Sequence, residues 1–292
     1  MRASGNGVFR ALVVAAAMIP LNAFASGGDA PAPVPPTEEE LAAIEEVAWR
    51  IAHHQEAREK ALDRLARMKK YSSLHEGETV IEGDRSWRVL FLKDPPPKDR
   101  RKRPLIMLQV QYDPASGEAG YPNMMVPPRE AEARIVSHYR AGQIARAGVL
   151  GKAQHPEPLE EVVFRLKKGP FRVYLTSTAA PEGYVRIGGD HIVRVASSGR
   201  RVESIEPLHA GPPINVSLAV RDDGDPTLHT HAVLDRPTAT DVAIVMRYPS
   251  IAPHLILTPH FIYRINAEGR IAFLGENSMP PEGGGDADME KP

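Results

Sequence analysis

The 292-residue chain has no cysteine. Disulfides, thiolate metal sites, a thiol nucleophile and a lipidated cysteine are therefore excluded, and stability must come from packing. Charge of one sign is also missing. The formal net charge is −1, so no global field recruits nucleic acid or an anionic membrane surface. Long apolar runs are absent: Ala11–Ile19 is too short to span a bilayer, and nothing later is longer. There is no G-x-S-x-G elbow for a serine hydrolase, and Gly188-Gly189 lacks the Lys-Ser/Thr of a phosphate-cradling loop. No internal repeat is found.

What is present is ordinary for a globular protein, 42% hydrophobic and 25% charged, with 28 prolines and 23 glycines that call for many turns. Residues 1–25 have the form of a secretory signal peptide. Arg2 and Arg10 precede or flank the apolar run, and Ala23-Phe24-Ala25 is a small-x-small cleavage site before Ser26. The expected address is periplasmic or secreted, with no transmembrane segment after cleavage, and a disulfide-free exported chain suits a Gram-negative envelope. Residues 26–36 are a partly polyproline linker.

Thr37-Glu38-Glu39-Glu40 is a capping box, and Leu41, Ile44, Ala48, Ile51, Leu62 and Leu65 continue at helical spacing, predicting a helix near 38–70. Gln55 and Arg58 interrupt its stripe, which implies two separate apolar patches or an extended helix. His53 and His54, adjacent on it, read as solvated surface. Strands at 79–81 and 87–92 flank a turn at 82–85. A basic, proline-rich loop covers 94–104, with no aromatics interleaved for base stacking. A strand at 105–111 and a helix at 128–147 complete a helix-rich N-terminal lobe, 37–150. Short strands recur from 159 to 275, at 162–166, 171–176, 184–187, 191–196, 201–205, 214–221, 254–257, 261–265 and 270–274, with one helix near 238–248. The expected class is α+β: a mostly antiparallel sheet with one packed helix, a disordered tail following at 280–292.

Chemistry concentrates in Leu228–Val242. His229 and His231 stand two apart at the end of a β-type run, so both rings share a face, and Asp241 follows at a helix start. Two imidazoles and a carboxylate suit Zn²⁺ or another divalent metal, with a fourth position for water. The same residues allow a plain structural account. Thr238-x-x-Asp241 is itself a capping box, and the histidines are then hydrogen-bonded strand residues. His209, His254 and His260 lie at turns or strand ends; any one could enter the site, but each reads first as a surface or satisfied residue.

His229, His231, Thr238 and Asp241 together resemble the metal motif of the JAB/MPN-like metalloprotease superfamily, in which His-x-His precedes Ser/Thr-x-x-Asp. Residues 252–264 are similar to the strand and Thr-Pro turn that follow it in secreted relatives. The resemblance covers about residues 180–275. The spacing to Asp241 is one residue shorter than the common form, and Ala232 stands where a proline is usual. The resemblance implies Zn²⁺ on His229, His231 and Asp241, Thr238 orienting a water or oxyanion, and a general base for which Glu182 is the candidate, with Glu203 and Glu206 nearby. The region is also similar to exported bacterial proteins of unknown function. Two functions follow: a non-catalytic envelope protein on a degenerate JAB-like scaffold, binding an envelope protein or peptide, or a zinc-dependent peptidase or isopeptidase.

Overall fold

The computed structural model describes residues 32–68, 75–96, 99, 102–152, 158–166, 169–178, 180–219 and 225–278. The expected leader, most of the linker, part of the basic loop, the end of the strand expected at 214–221 and the C-terminal tail lie outside the described residues. From Pro35 onward the chain packs as one unit. No described helix is long and apolar enough to cross a membrane.

Helix α1 (Glu38–Ala66) starts where the capping box places it: the Thr37 hydroxyl accepts from Glu40 N–H, and the Glu40 carboxylate accepts from Thr37 N–H. Such a cap contributes about 1 kcal/mol. The interrupted stripe does form two patches. Leu41, Ala48, Ile51 and Ala52 pack in one core with Val242, Ile256 and Tyr263. Ala57, Ala61 and Leu65 pack in another with Trp87, Phe91 and Tyr112. Gln55 and Arg58 sit between the patches and reach across, Gln55 to Glu160 and Thr176, Arg58 to Glu78 and Glu160.

The second core lies on a five-stranded antiparallel sheet of β1 (Gly77–Ile81), β2 (Trp87–Lys93), β3 (Leu105–Asp113), β4 (Glu118–Ala119) and β5 (Asn123–Glu130). Here the fold departs from the sequence expectation. The segment around Pro127-Pro128 is an exposed strand pairing with β3 and not a helix start. Proline lacks the N–H that an interior ladder needs but tolerates an edge position. Helix α2 begins later, at Ala133, and runs through Gly148 to Lys152. A Cβ at Gly148 would meet Val202 and Ile205 at 3.3 and 3.5 Å, so glycine here serves close helix–sheet packing and does not end the helix.

The second sheet orders β10 (Val202–Pro207), β9 (His191–Val195), β7 (Phe171–Ser177) and β6 (Leu159–Arg165), all antiparallel. Ala141, Ala145 and Val149 of α2 pack on its Val163, Val173 and Val193. Strand β8 (Tyr184–Ile187) pairs with β11 (Ile214–Ser217), which is shorter than the expected 214–221. The last sheet orders β12 (Thr227–Thr230), β13 (His254–Leu257), β14 (Phe261–Ile265) and β15 (Ile271–Glu276). Among the described residues β12 and β13 are the one parallel pair, and the crossover that parallel strands need carries helix α3 (Ala239–Arg247). Among the described residues, three α-helices on mostly antiparallel sheets make this an α+β protein, as expected.

His53 and His54 are not solvated as their adjacency suggests. His54 is buried against Trp87 and Phe164, and His53 Nδ1 lies 2.8 Å from the Tyr112 hydroxyl. A helix buried on more than one side has fewer solvent positions than a single amphipathic stripe implies.

Candidate metal centre

Strand β12 alternates strictly: Thr227 and His229 are buried, Leu228 and Thr230 exposed. His231 N–H donates to Leu257 O at 2.7 Å, extending the ladder by one residue. His231 therefore stays in register and points inward beside His229. Their Nε2 atoms lie 3.0 Å apart.

Asp241 arrives from the first turn of α3, where both accounts of it hold at once. Its Oδ2 accepts from Thr238 N–H at 2.7 Å and from the Thr238 hydroxyl at 2.6 Å, completing the capping box. Its Oδ1 faces the imidazoles, 3.3 Å from His229 Nε2, while Oδ2 is 3.2 Å from His231 Nε2. His209, from the loop after β10, adds Nε2 at 3.0 Å from Oδ1. One ligand atom from each of His209, His229, His231 and Asp241 lies within 4.8 Å of all the others, and Asp241 is 1% exposed.

Hydrogen bonds fix which ring nitrogens carry protons. The Thr227 hydroxyl donates to Ile251 O, so its oxygen is left to accept from His254 Nδ1–H, 2.5 Å away. With neutral rings, His254 Nε2 then accepts from His229 Nδ1–H at 2.7 Å. His231 Nδ1 meets the Arg236 carbonyl at 3.0 Å, which can only accept. Both Nε2 atoms consequently present lone pairs to each other and to a carboxylate. With neutral rings such a donor set is repulsive without a positive centre, which a metal ion or an added ring proton can supply. The 3.0–3.3 Å spacings among His229, His231 and Asp241 lie near those of a zinc site: a tetrahedron with zinc–nitrogen bonds of about 2.0–2.1 Å has edges of about 3.3–3.4 Å.

The buried carboxylate draws positive charge to this cluster, from ring protons as well as from a metal. Burial pushes the Asp241 carboxyl up, but the charge of His229 and His231 when protonated, and the His209 hydrogen bond, overrule it and hold it well below the usual carboxylate range. Burial likewise opposes protonation of His209, yet Asp241 and Asp190 raise its pKa. The His209 Nδ1 is buried with no hydrogen-bond partner, unlike its counterparts on His229 and His231. Asp190 comes from the loop between β8 and β9. Gly188 and Gly189 there have φ of +89° and +74°, and Cβ atoms on them would lie 3.3–3.6 Å from Pro213 and His209. The loop carrying Asp190 thus packs directly on the loop carrying His209. Burial pushes the Asp190 carboxyl up to about 6.

The sequence candidates divide as follows. His229, His231 and Asp241 converge. Thr238 is buried beside them, with its hydroxyl committed to Asp241 and Thr240. Glu182 lies in an exposed turn before β8 and is not in the cluster. Glu203 is exposed and pairs with Arg194 and Arg201, and Glu206 is exposed on β10. Two histidines read as surface or satisfied residues belong to the site: His209 as a fourth donor, His254 as the buried support of His229. His260 does sit outside, paired with Asp235. Sequence spacing gave no signal for His209, which lies 20 residues before His229. A comparison of the chain with protein-family models, curated proteins and solved structures finds no match.

Proposed function

We propose that this is an exported protein that binds one divalent metal ion, best suited to Zn²⁺, through His209, His229, His231 and Asp241, on a degenerate JAB-like scaffold. The observation that carries this is the pair of Nε2 atoms 3.0 Å apart, facing a buried carboxylate. Four protein donors fill a tetrahedral shell, as in closed zinc sites, whereas catalytic zinc keeps a position for water. Among the described residues no glutamate joins the cluster to act as base. The closed shell favours a binding or structural role in the envelope over hydrolysis.

One observation favours the hydrolase alternative. His209 lacks an acceptor for its second nitrogen, and ligands without outer support are the ones readily displaced. Loss of His209 would leave two histidines, one carboxylate and an open position.

The test is metal analysis of full-length protein prepared without chelator. The expected result is about one zinc per chain, removed by His231→Ala, with a free zinc level of 100 times Kd adding about 2.7 kcal/mol to stability. For a chain of this size that is a rise of about 5–10 °C in Tm. Cobalt substitution separates the two roles. Intense four-coordinate visible bands insensitive to azide support the closed site, and azide-sensitive bands support an open one. Absence of metal together with a Tm unchanged by EDTA would overturn both.

A further inference from the structure

A cavity of about 450 Å³ opens beside α1, β7, β8 and α3, within the range of small-molecule sites. None of the four metal-cluster residues lines it. Asp190 and Thr240 do, and Thr240 is the chain neighbour of Asp241. Ile51, Val185 and Ile244 give it an apolar wall. Four carboxylates line it, Glu59, Asp63, Glu160 and Asp190, against three guanidinium groups, those of Arg58, Arg186 and Arg247.

Most of this charge is internally matched. Arg58 donates to Glu78 and Glu160, and Arg247 donates to Glu59. Asp190 differs. It is 8% exposed, and its carboxylate accepts a long bond of 3.4 Å from Ser177 N–H beside the Thr240 hydroxyl. Among the described residues no lysine or arginine pairs with it. The nearby His209 ring spends Nε2 on Asp241, and its Nδ1 bonds to nothing. A buried carboxylate without a hydrogen-bonded cation is costly, and one on a cavity wall is open to a cation supplied from outside.

We propose that the cavity binds a small primary amine, with its ammonium group on the Asp190 carboxylate and its aliphatic part against Ile51, Val185 and Ile244. The hydroxyls of Thr176 and Thr240 on the same walls offer further acceptors for the ammonium N–H groups. An anionic ligand would have to displace carboxylates from Arg58 and Arg247 and would face Asp190, while Arg186 is engaged with Asn215. A larger guanidinium would meet those two side chains.

The test is calorimetric titration of the full chain with leucinamide and with N-acetyl-leucinamide. Leucinamide is expected to bind at least ten times tighter than its acetylated form, which keeps the side chain and loses the charge. Asp190→Asn is expected to erase that preference. Thr178→Arg, at an exposed position lining the cavity, should weaken leucinamide at least tenfold without touching the core. Equal binding of the two probes, no binding of leucinamide, or an undiminished preference in Asp190→Asn would overturn the proposal. Leucinamide should bind metal-stripped and zinc-loaded protein alike, so this result stands or falls separately from the metal reading.

Discussion

Thr238 and Asp241 cap each other, and the same contacts aim the carboxylate at the imidazoles. Thr238 supplies both the N–H and the O–H that hold Oδ2, at 2.7 and 2.6 Å, leaving Oδ1 toward His209 and His229. Thr238→Ala removes the hydroxyl from both tasks. Stability should fall by about 1–2 kcal/mol in urea unfolding, and zinc affinity measured against a competing chelator should fall with it. Thr238→Ser should restore both, whereas a purely capping role would leave zinc affinity unchanged.

His254 is fully buried, hydrogen-bonds to His229 and stacks on its ring with centroids 5.0 Å apart. Removing the outer partner of a ligating histidine typically costs 10–100-fold in metal affinity. His254→Leu should show a loss of about that size in chelator competition while retaining its far-ultraviolet circular dichroism. Unchanged affinity would mean that the His229 tautomer is set elsewhere.

Acid should weaken the fold from a different place. Burial lowers the His138 pKa to about 4, and His54 is also held well below its ordinary value by burial. The unfolded chain then takes up these protons first, near pH 6.5. Stability contributed by His138 should be complete above about pH 6.5, decline toward pH 4 and level off below, a total of about 3 kcal/mol. Urea unfolding of His138→Gln across this window should show a shallower decline, with the share due to His54 remaining.

Gly199 turns the chain between β9 and β10 with φ of +69°, and a Cβ there would lie 2.1 Å from the Ser137 carbonyl oxygen of α2. Backbone cannot yield as a side-chain tip can. Gly199→Ala combines a left-handed strain of about 1 kcal/mol with a main-chain clash, so a loss above 2 kcal/mol is expected in thermal or urea unfolding. Gly183, with φ of +78° and open space around it, should lose only about 1 kcal/mol on the same change.

Local signals were legible in the sequence. Thr37 and Thr238 announce their helices because a capping box is complete within four residues. His229 and His231 share a face because strand pleating needs no tertiary information. What depended on distant packing was not legible. His209 reaches the cluster only because the Gly188-Gly189 turn lets its loop close in, and His254 joins it through the parallel pairing of β12 with β13. Pro127-Pro128 reads locally as a helix start, yet β3 offers an edge that accepts it. His54 reads as solvated on its own helix, and the strands bearing Trp87 and Phe164 bury it.

The way α1 is shared has a mechanical consequence. A single rod of 29 residues inserts its first half among the elements around α3 and its second half over the first sheet, with no break where a hinge could form. Loosening either end would strip a wall from the other, so the two cores should melt in one step, and a cut near Gln55 should undo both.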